Sequence, residues 1–211
     1  MKEIITLFVS QIKPDANIST LHNVLDMHES YFGQLTAFDN WCKTHNLNND
    51  EKEYLFDLFL LKHLHKQRNV EAYFNTPEWI SIEDRTLERG TELMNILMYI
   101  DEAIETEVEI SIHDFLDEYL LFDDMGSQDE YEIYEDLIDN ADLADTDLNS
   151  IVSVFDKDYD GNLGPLLRPL FIFFMQPTQL VDCKALLSNV EWAIYNCLMQ
   201  YYSKGNTSAQ H

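Results

Sequence analysis

Apolar residues recur along this chain at spacings of three and four, the signature of a buried helix face, while period-two alternation is nearly absent. Ile4, Ile5, Phe8 and Ile12 stripe a first helix. Leu21, Val24, Leu25, His28 and Phe32 stripe a second that ends near Gly33, and Phe38, Trp41 and Cys42 mark a third. Asn48-Asn49-Asp50-Glu51 then supplies a capping side chain and first-turn acids, both suited to a helix N-terminus. From Tyr54 to Leu61 every residue except Asp57 is apolar, so this helix is buried on most faces and is the candidate central helix. A short helix around Val70–Phe74 stops before Pro77.

The pattern predicts a long helix from about Ile82 to Thr106, with Leu87, Met94, Leu97 and Ile104 on one stripe. Ser111 caps the next, whose core residues are Phe115, Leu116, Tyr119 and Leu120. Tyr131, Tyr134, Leu137 and Ile138 stripe a helix with an acidic opposite face, and Asp145 caps a short one over 147–155. Pro165 and Pro169 delay the following helix, since the residue before proline avoids the α region. The last helix carries Leu186, Val190, Ala193, Ile194, Cys197, Leu198 and Tyr201 at helical spacing, and Gly205 ends it. The expectation is an all-α fold of about ten helices in a single globular domain over residues 1–204. Stacked helical hairpins are one arrangement such a pattern permits. A soft boundary falls near 107–111, and residues 205–211 form a frayed polar tail.

Charge changes this picture more than size does. The chain has 211 residues with 39 acids against 13 bases, a net charge of −26. Between Arg89 and Lys157 there is no lysine or arginine, and the same 67 residues hold 21 acids. Hydrophobic residues make up 45%, so the chain folds despite its charge. Clustered acids repel, and a solvated surface ordinarily mixes both signs. An unmixed face therefore points to a basic partner, with a solubility device as the alternative. Phosphates would be repelled, which excludes nucleic acid as a direct partner. The candidate partner-binding residues are Asp101, Glu105 and Glu109, spaced at i, i+4 and i+8, and Glu132, Glu135, Asp136 and Asp139 one hairpin later.

One motif bears on metal chemistry. Asp156-Lys157-Asp158-Tyr159-Asp160-Gly161-Asn162-Leu163 places three carboxylates at alternate positions, then a glycine and an apolar residue. These eight residues resemble the first part of an EF-hand calcium loop, which implies Asp156, Asp158, Asp160 and the Asn162 carbonyl as ligands. The twelfth position is Leu167 instead of a bidentate glutamate, and Pro165 stands where the exiting helix should begin. The resemblance therefore implies weak calcium at most, and an acidic interhelical turn is the alternative.

Other chemistry is not written in the chain. There is no glycine-rich phosphate loop, no Gly-x-Ser-x-Gly elbow, no CxxC pair and no His-Glu-x-x-His. The three cysteines suit small buried hydrophobes in a cytoplasmic protein, and no apolar run is long enough to span a bilayer. The expectation is a non-enzymatic protein that needs no cofactor and binds neither membrane nor nucleic acid. Its acidic face sequesters a basic protein, most specifically as a bacterial immunity or antitoxin protein capping a toxin such as a nuclease. The alternatives are a calcium-responsive helical module using residues 156–162, and an enzyme whose site the sequence does not reveal.

Overall fold

A computed structural model of the chain describes residues 1–120, 127–156, 159, 161–176 and 180–209; the side chains of 119–120, 127–131 and 206–209 lie outside that description. Among the described residues there are twelve α-helices and no strand, as helical periodicity requires. Two compact units are present, Met1–Met94 and Asn95–His211.

The first unit contains α1 (Lys2–Ile12), α2 (Ile18–Leu25), α3 (Tyr31–Thr44), α4 (Asn49–Leu64), α5 (Val70–Phe74) and α6 (Pro77–Thr86). Helix α4 starts where its sequence says it should. Asn48 accepts from the Glu51 N–H at 2.8 Å while the Glu51 carboxylate accepts from the Asn48 N–H at 2.8 Å, a complete capping box. Its Tyr54, Leu55, Phe56, Leu58, Phe59 and Leu61 are all buried, which makes it the centre of this unit. Helices α1 and α3 pack on it, and Phe38 stacks on Phe59 at 4.8 Å. Gln34 of α3 is buried and donates at 3.0 Å to the carbonyls of Val24 and Leu25, satisfying acceptors at the end of α2. Gly33 therefore lies inside the first turn of α3 and does not end the preceding helix.

The long helix expected over 82–106 is broken. Helix α6 stops at Thr86, Leu87 is 79% exposed, and α7 (Leu93–Thr106) begins only after a turn at 87–92. Two carboxylates one turn apart on α4 hold that turn. Glu53 accepts from the Gly90 N–H at 3.0 Å, and buried Asp57 accepts from the Thr91 N–H at 2.9 Å and the Thr91 hydroxyl at 2.5 Å. The Thr91 hydroxyl in turn accepts from the Leu93 N–H at 3.2 Å, capping α7. Gly90 has φ +98°, and a Cβ there would lie 2.6 Å from the Asp57 carboxylate, so the position suits glycine alone. Arg89 lies over the Phe56 ring at 4.3 Å and pairs with Asp39 at 3.2 Å. Burial pushes the Asp57 carboxyl well above the usual range, against the opposing pull of the Thr91 hydrogen bonds.

The second unit holds most of α7, with α8 (Ile112–Leu120), α9 (Ser127–Asp139), α10 (Leu148–Val154), α11 (Leu167–Met175) and α12 (Asn189–Ala209). Two 3₁₀ turns, Ala141–Asp145 and Gly164–Leu166, complete it. Helix α11 is its core: Leu167 to Phe174 are all buried, and α10, α12 and both 3₁₀ turns pack on it. Phe171 stacks on Phe155 at 5.3 Å, and Phe174 lies beside Phe115 at 6.0 Å. Pro169 sits in the first turn of α11, where a missing N–H costs nothing.

One charge is buried with this core. Arg168 donates from Nε and Nη2 to the two carboxylate oxygens of Glu191 at 2.7 and 2.6 Å, and both residues are about 5% exposed. Glu191 also accepts from the Ser188 N–H at 2.7 Å, forming the capping box that starts α12. Asp147, not Asp145, caps α10, through Asn149 and Ser150. Cys183 precedes α12, and all three cysteines are buried thiols.

Helix α12 does not end at Gly205 but continues to Ala209. Gly205 serves packing instead: a Cβ there would approach Ile104 Cδ1 of α7 to 2.1 Å. Replacing Asp57 by Ala should cost about 1–3 kcal/mol in denaturant unfolding, because it strands the Thr91 donors in a buried site; Asp57→Asn, which keeps one acceptor oxygen, should lose less. For Gly205→Ala, the helix-propensity gain opposes the clash with Ile104. The substitution should be more favourable by about 1 kcal/mol in an Ile104→Ala background, which a double-mutant cycle reads directly.

Candidate functional site: an acidic groove and its helix ends

The seven acids named from the sequence do not form one face. Asp101 is half-buried and accepts from the Tyr201 hydroxyl at 2.7 Å, so its carboxylate serves the contact between α7 and α12. Glu105 is exposed one turn later on the same helix. Glu109 is exposed but lies past the end of α7, where Glu107 at φ +57° turns the chain out of helical register. The i, i+4, i+8 line is thus cut after two members.

Helix α9 keeps its acids together. Glu132, Glu135 and Asp139 are exposed, whereas Asp136 is half-buried and accepts from the Tyr159 hydroxyl. That bond, the largest influence, pushes the Tyr159 phenol up to about 12. The loop carrying Tyr159 is tied to α9 a second time: the Asn162 amide donates to the Glu132 carbonyl at 2.7 Å. A Cβ on Gly161 would come within 2.2 Å of the Asp136 carboxylate, so glycine permits this close approach. Two features that look independent in the sequence, the acidic helix and the calcium-like loop, are one contact in the fold. Of the loop's candidate ligands, Asp156 and Asn162 are exposed, and Asp158 and Asp160 lie outside the described residues.

Helices α8 and α9 and the 141–145 turn enclose a groove of about 300 Å³. Leu116, Ile138 and Ala141 supply its apolar lining, and His113, Asp117, Asp139 and Asp142 are exposed around it. An apolar floor under three carboxylates suits a lysine or arginine side chain, whose aliphatic stem covers apolar surface while its head meets the acids. Among the described residues no group of three histidine, cysteine or acidic side chains is arranged to hold a metal ion.

Sequence reasoning found Asp139 but missed His113, Asp117 and Asp142. His113 and Asp117 stand at i, i+4 after the Ser111 cap, and that signal was available. The cap itself forms as expected, with Ser111 Oγ accepting from the Asp114 N–H at 3.0 Å. Asp142 enters only through tertiary packing.

A second cavity of about 260 Å³ is lined by Asp156, Tyr159, Leu167 and the Arg168–Glu191 pair among others. Its buried charges are committed to each other, which leaves the groove as the better candidate for a charged ligand.

Comparison of the chain with protein-family models, with curated proteins and with solved structures returned no match. No helix among the described residues is long and apolar enough to cross a membrane.

In a calorimetric titration, calcium should bind the 156–162 loop no tighter than about 10⁻⁴ to 10⁻³ M, the range of sites with few anionic ligands. Asp156→Ala should abolish whatever heat is seen. Dissociation below a micromolar level would show a ligand set beyond those four residues.

Proposed function

We propose that this chain is a non-enzymatic acidic binding protein that sequesters or neutralises a basic protein partner. In its most specific form it is an immunity or antitoxin protein capping a basic toxin such as a nuclease.

The observation that carries the reading is where the acids sit on their helices. A helix C-terminus bears partial negative charge, so bases belong in the last turn and acids there cost about 0.3–1 kcal/mol each. In the first unit the rule is kept on three helices, where Lys43 ends α3, Lys62 and His63 end α4, and Arg85 ends α6, while α1 and α5 carry no base there. In the acidic segment it is reversed. Helices α7, α8 and α9 have no base in the last turn, and Glu105, Asp117, Glu118, Asp136 and Asp139 occupy those positions. Solubility needs charge but not charge at the unfavourable end of three helices. A cationic partner would compensate both the carboxylates and the helix dipoles, and a field of one sign would steer it to the surface.

The partner's chemistry follows from the groove: a lysine- or arginine-rich surface that presents at least one long basic side chain to Asp117, Asp139 and Asp142. The test begins with capture of a partner on the immobilised full-length chain from its source cells. Association is then measured with the purified partner. The partner should be basic, and Asp117→Asn, Glu135→Gln, Asp139→Asn and Asp142→Asn together should slow association several-fold and flatten its salt dependence. The same variant should melt no lower than the parent, because like-charge repulsion and unfavourable dipole contacts have been removed. Unchanged rate and affinity at low salt would reduce the acidic surface to a solubility device.

A further inference from the structure

Of the five residues of α5 only Tyr73 is buried, so this short helix has a single anchor in its unit. The Tyr73 ring lies 5.6 Å from the His63 ring of α4, and its hydroxyl is 2.7 Å from His63 Nε2. Gln67 brings its amide nitrogen to 3.4 Å from the same ring nitrogen and donates from it to the His63 carbonyl at 3.3 Å. An amide nitrogen only donates, so Nε2 faces a donor and keeps its lone pair. The neutral imidazole therefore carries its one proton on Nδ1, and the Tyr73 hydroxyl donates to Nε2.

We propose that His63 is an acid-sensitive latch for α5: neutral, it accepts from Tyr73 and holds the helix on α4, and protonated at Nε2 it lets go. The incoming proton would take the place to which the Gln67 N–H already points, and Tyr73 would have to turn its own proton away. The ring is half-buried and packs against Tyr31 of α3 at 4.7 Å as well as against Tyr73, so a charge there is poorly solvated. Charged neighbours do not offset this. Lys62 on α4 and Lys66 in the turn after it oppose protonation, while Glu78 of α6 favours it. Lys2 of α1 and Asp26 at the end of α2 pair with each other and act on Lys62. The two phenols stay neutral, since burial pushes Tyr73 up to about 12 and raises Tyr31 as well. Burial, the largest influence, holds the His63 ring below the usual histidine value of 6.5.

The sign follows from linkage. A released ring takes up its proton near pH 6.5, and the latched ring does so only at lower pH. The latch's contribution is therefore complete above about pH 6.5 and is lost as pH falls through the lower folded value. Ordinary carboxylates are still mostly ionised at about pH 5, so the range from about pH 7.5 to 5 reads histidine. The chain has seven histidines, and a variant at position 63 separates this one from the rest.

Glutamine at position 63 keeps an acceptor for Tyr73 without a titratable ring. Ring-proton NMR of the full-length chain should show a histidine titrating below 6.5 whose signal is missing from His63→Gln. Amide exchange over 70–76, corrected for its intrinsic pH dependence, should speed up several-fold in the parent chain as pH falls from 7.5 to 5. In His63→Gln that acceleration should vanish. Tyr73→Phe, which keeps the ring and removes the donor, should exchange rapidly at both pH values. Titration of His63 at or above 6.5 overturns the latch, as does flat corrected exchange in the parent chain or a His63→Gln variant that retains the parent's pH dependence.

Discussion

The buried carboxylate of Asp57 decides where helix α7 can begin. Three hydrogen bonds from Thr91, two from its N–H and one from its hydroxyl, converge on this side chain, and Thr91 in turn caps the helix. Without it the apolar pattern through Leu87 would favour one continuous helix, since nothing else in residues 82–106 except Gly90 interrupts the period. Helix α7 starts at Leu93, and along it Asp101 meets Tyr201 while Glu105 is exposed. A single buried acid on α4 thus holds the turn from which α7 starts. The energetic cost of burying it is met by donors that would otherwise themselves lie unpaired.

Local signals with a complete chemical grammar could be read from the sequence. Asn48 with Glu51, and Ser111 with Asp114, cap their helices as their spacing implies, and α4 is the buried centre its apolar run requires. Glycine was the unreliable signal. Gly33 and Gly205 lie inside helices, and Gly205 is explained only by Ile104, a hundred residues away in the sequence. Gly90, which does break a helix, sits in a stretch whose periodicity concealed it. The acidic surface was legible as composition but not as geometry. The helix stop at Glu107 removed Glu109 from its line, and the groove depends on an interhelical fit that no spacing rule encodes.

The two units treat charge differently. In the first, acids and bases meet in specific pairs: Arg89 with Asp39 and Glu53, and Lys13 with Glu51. In the second, beside the buried Arg168–Glu191 pair, carboxylates lie against phenols: Asp101 with Tyr201 and Asp136 with Tyr159. Phenols satisfy a carboxylate's lone pairs without adding positive charge, so the surface retains its sign while these carboxylates stay hydrogen-bonded. That is a coherent way to build a stable fold beneath an anionic field.

The Arg168–Glu191 pair has an evolutionary consequence. Loss of either partner leaves the other charged and enclosed, a cost of about 3–5 kcal/mol, whereas replacing both with apolar residues of similar volume is often nearly neutral. Glu191 also caps α12, so drift at this site is further restricted to residues that can receive the Ser188 N–H. Related chains should therefore change these two positions together or leave both alone, and the pair offers a covariation marker by which distant relatives of this fold could be recognised.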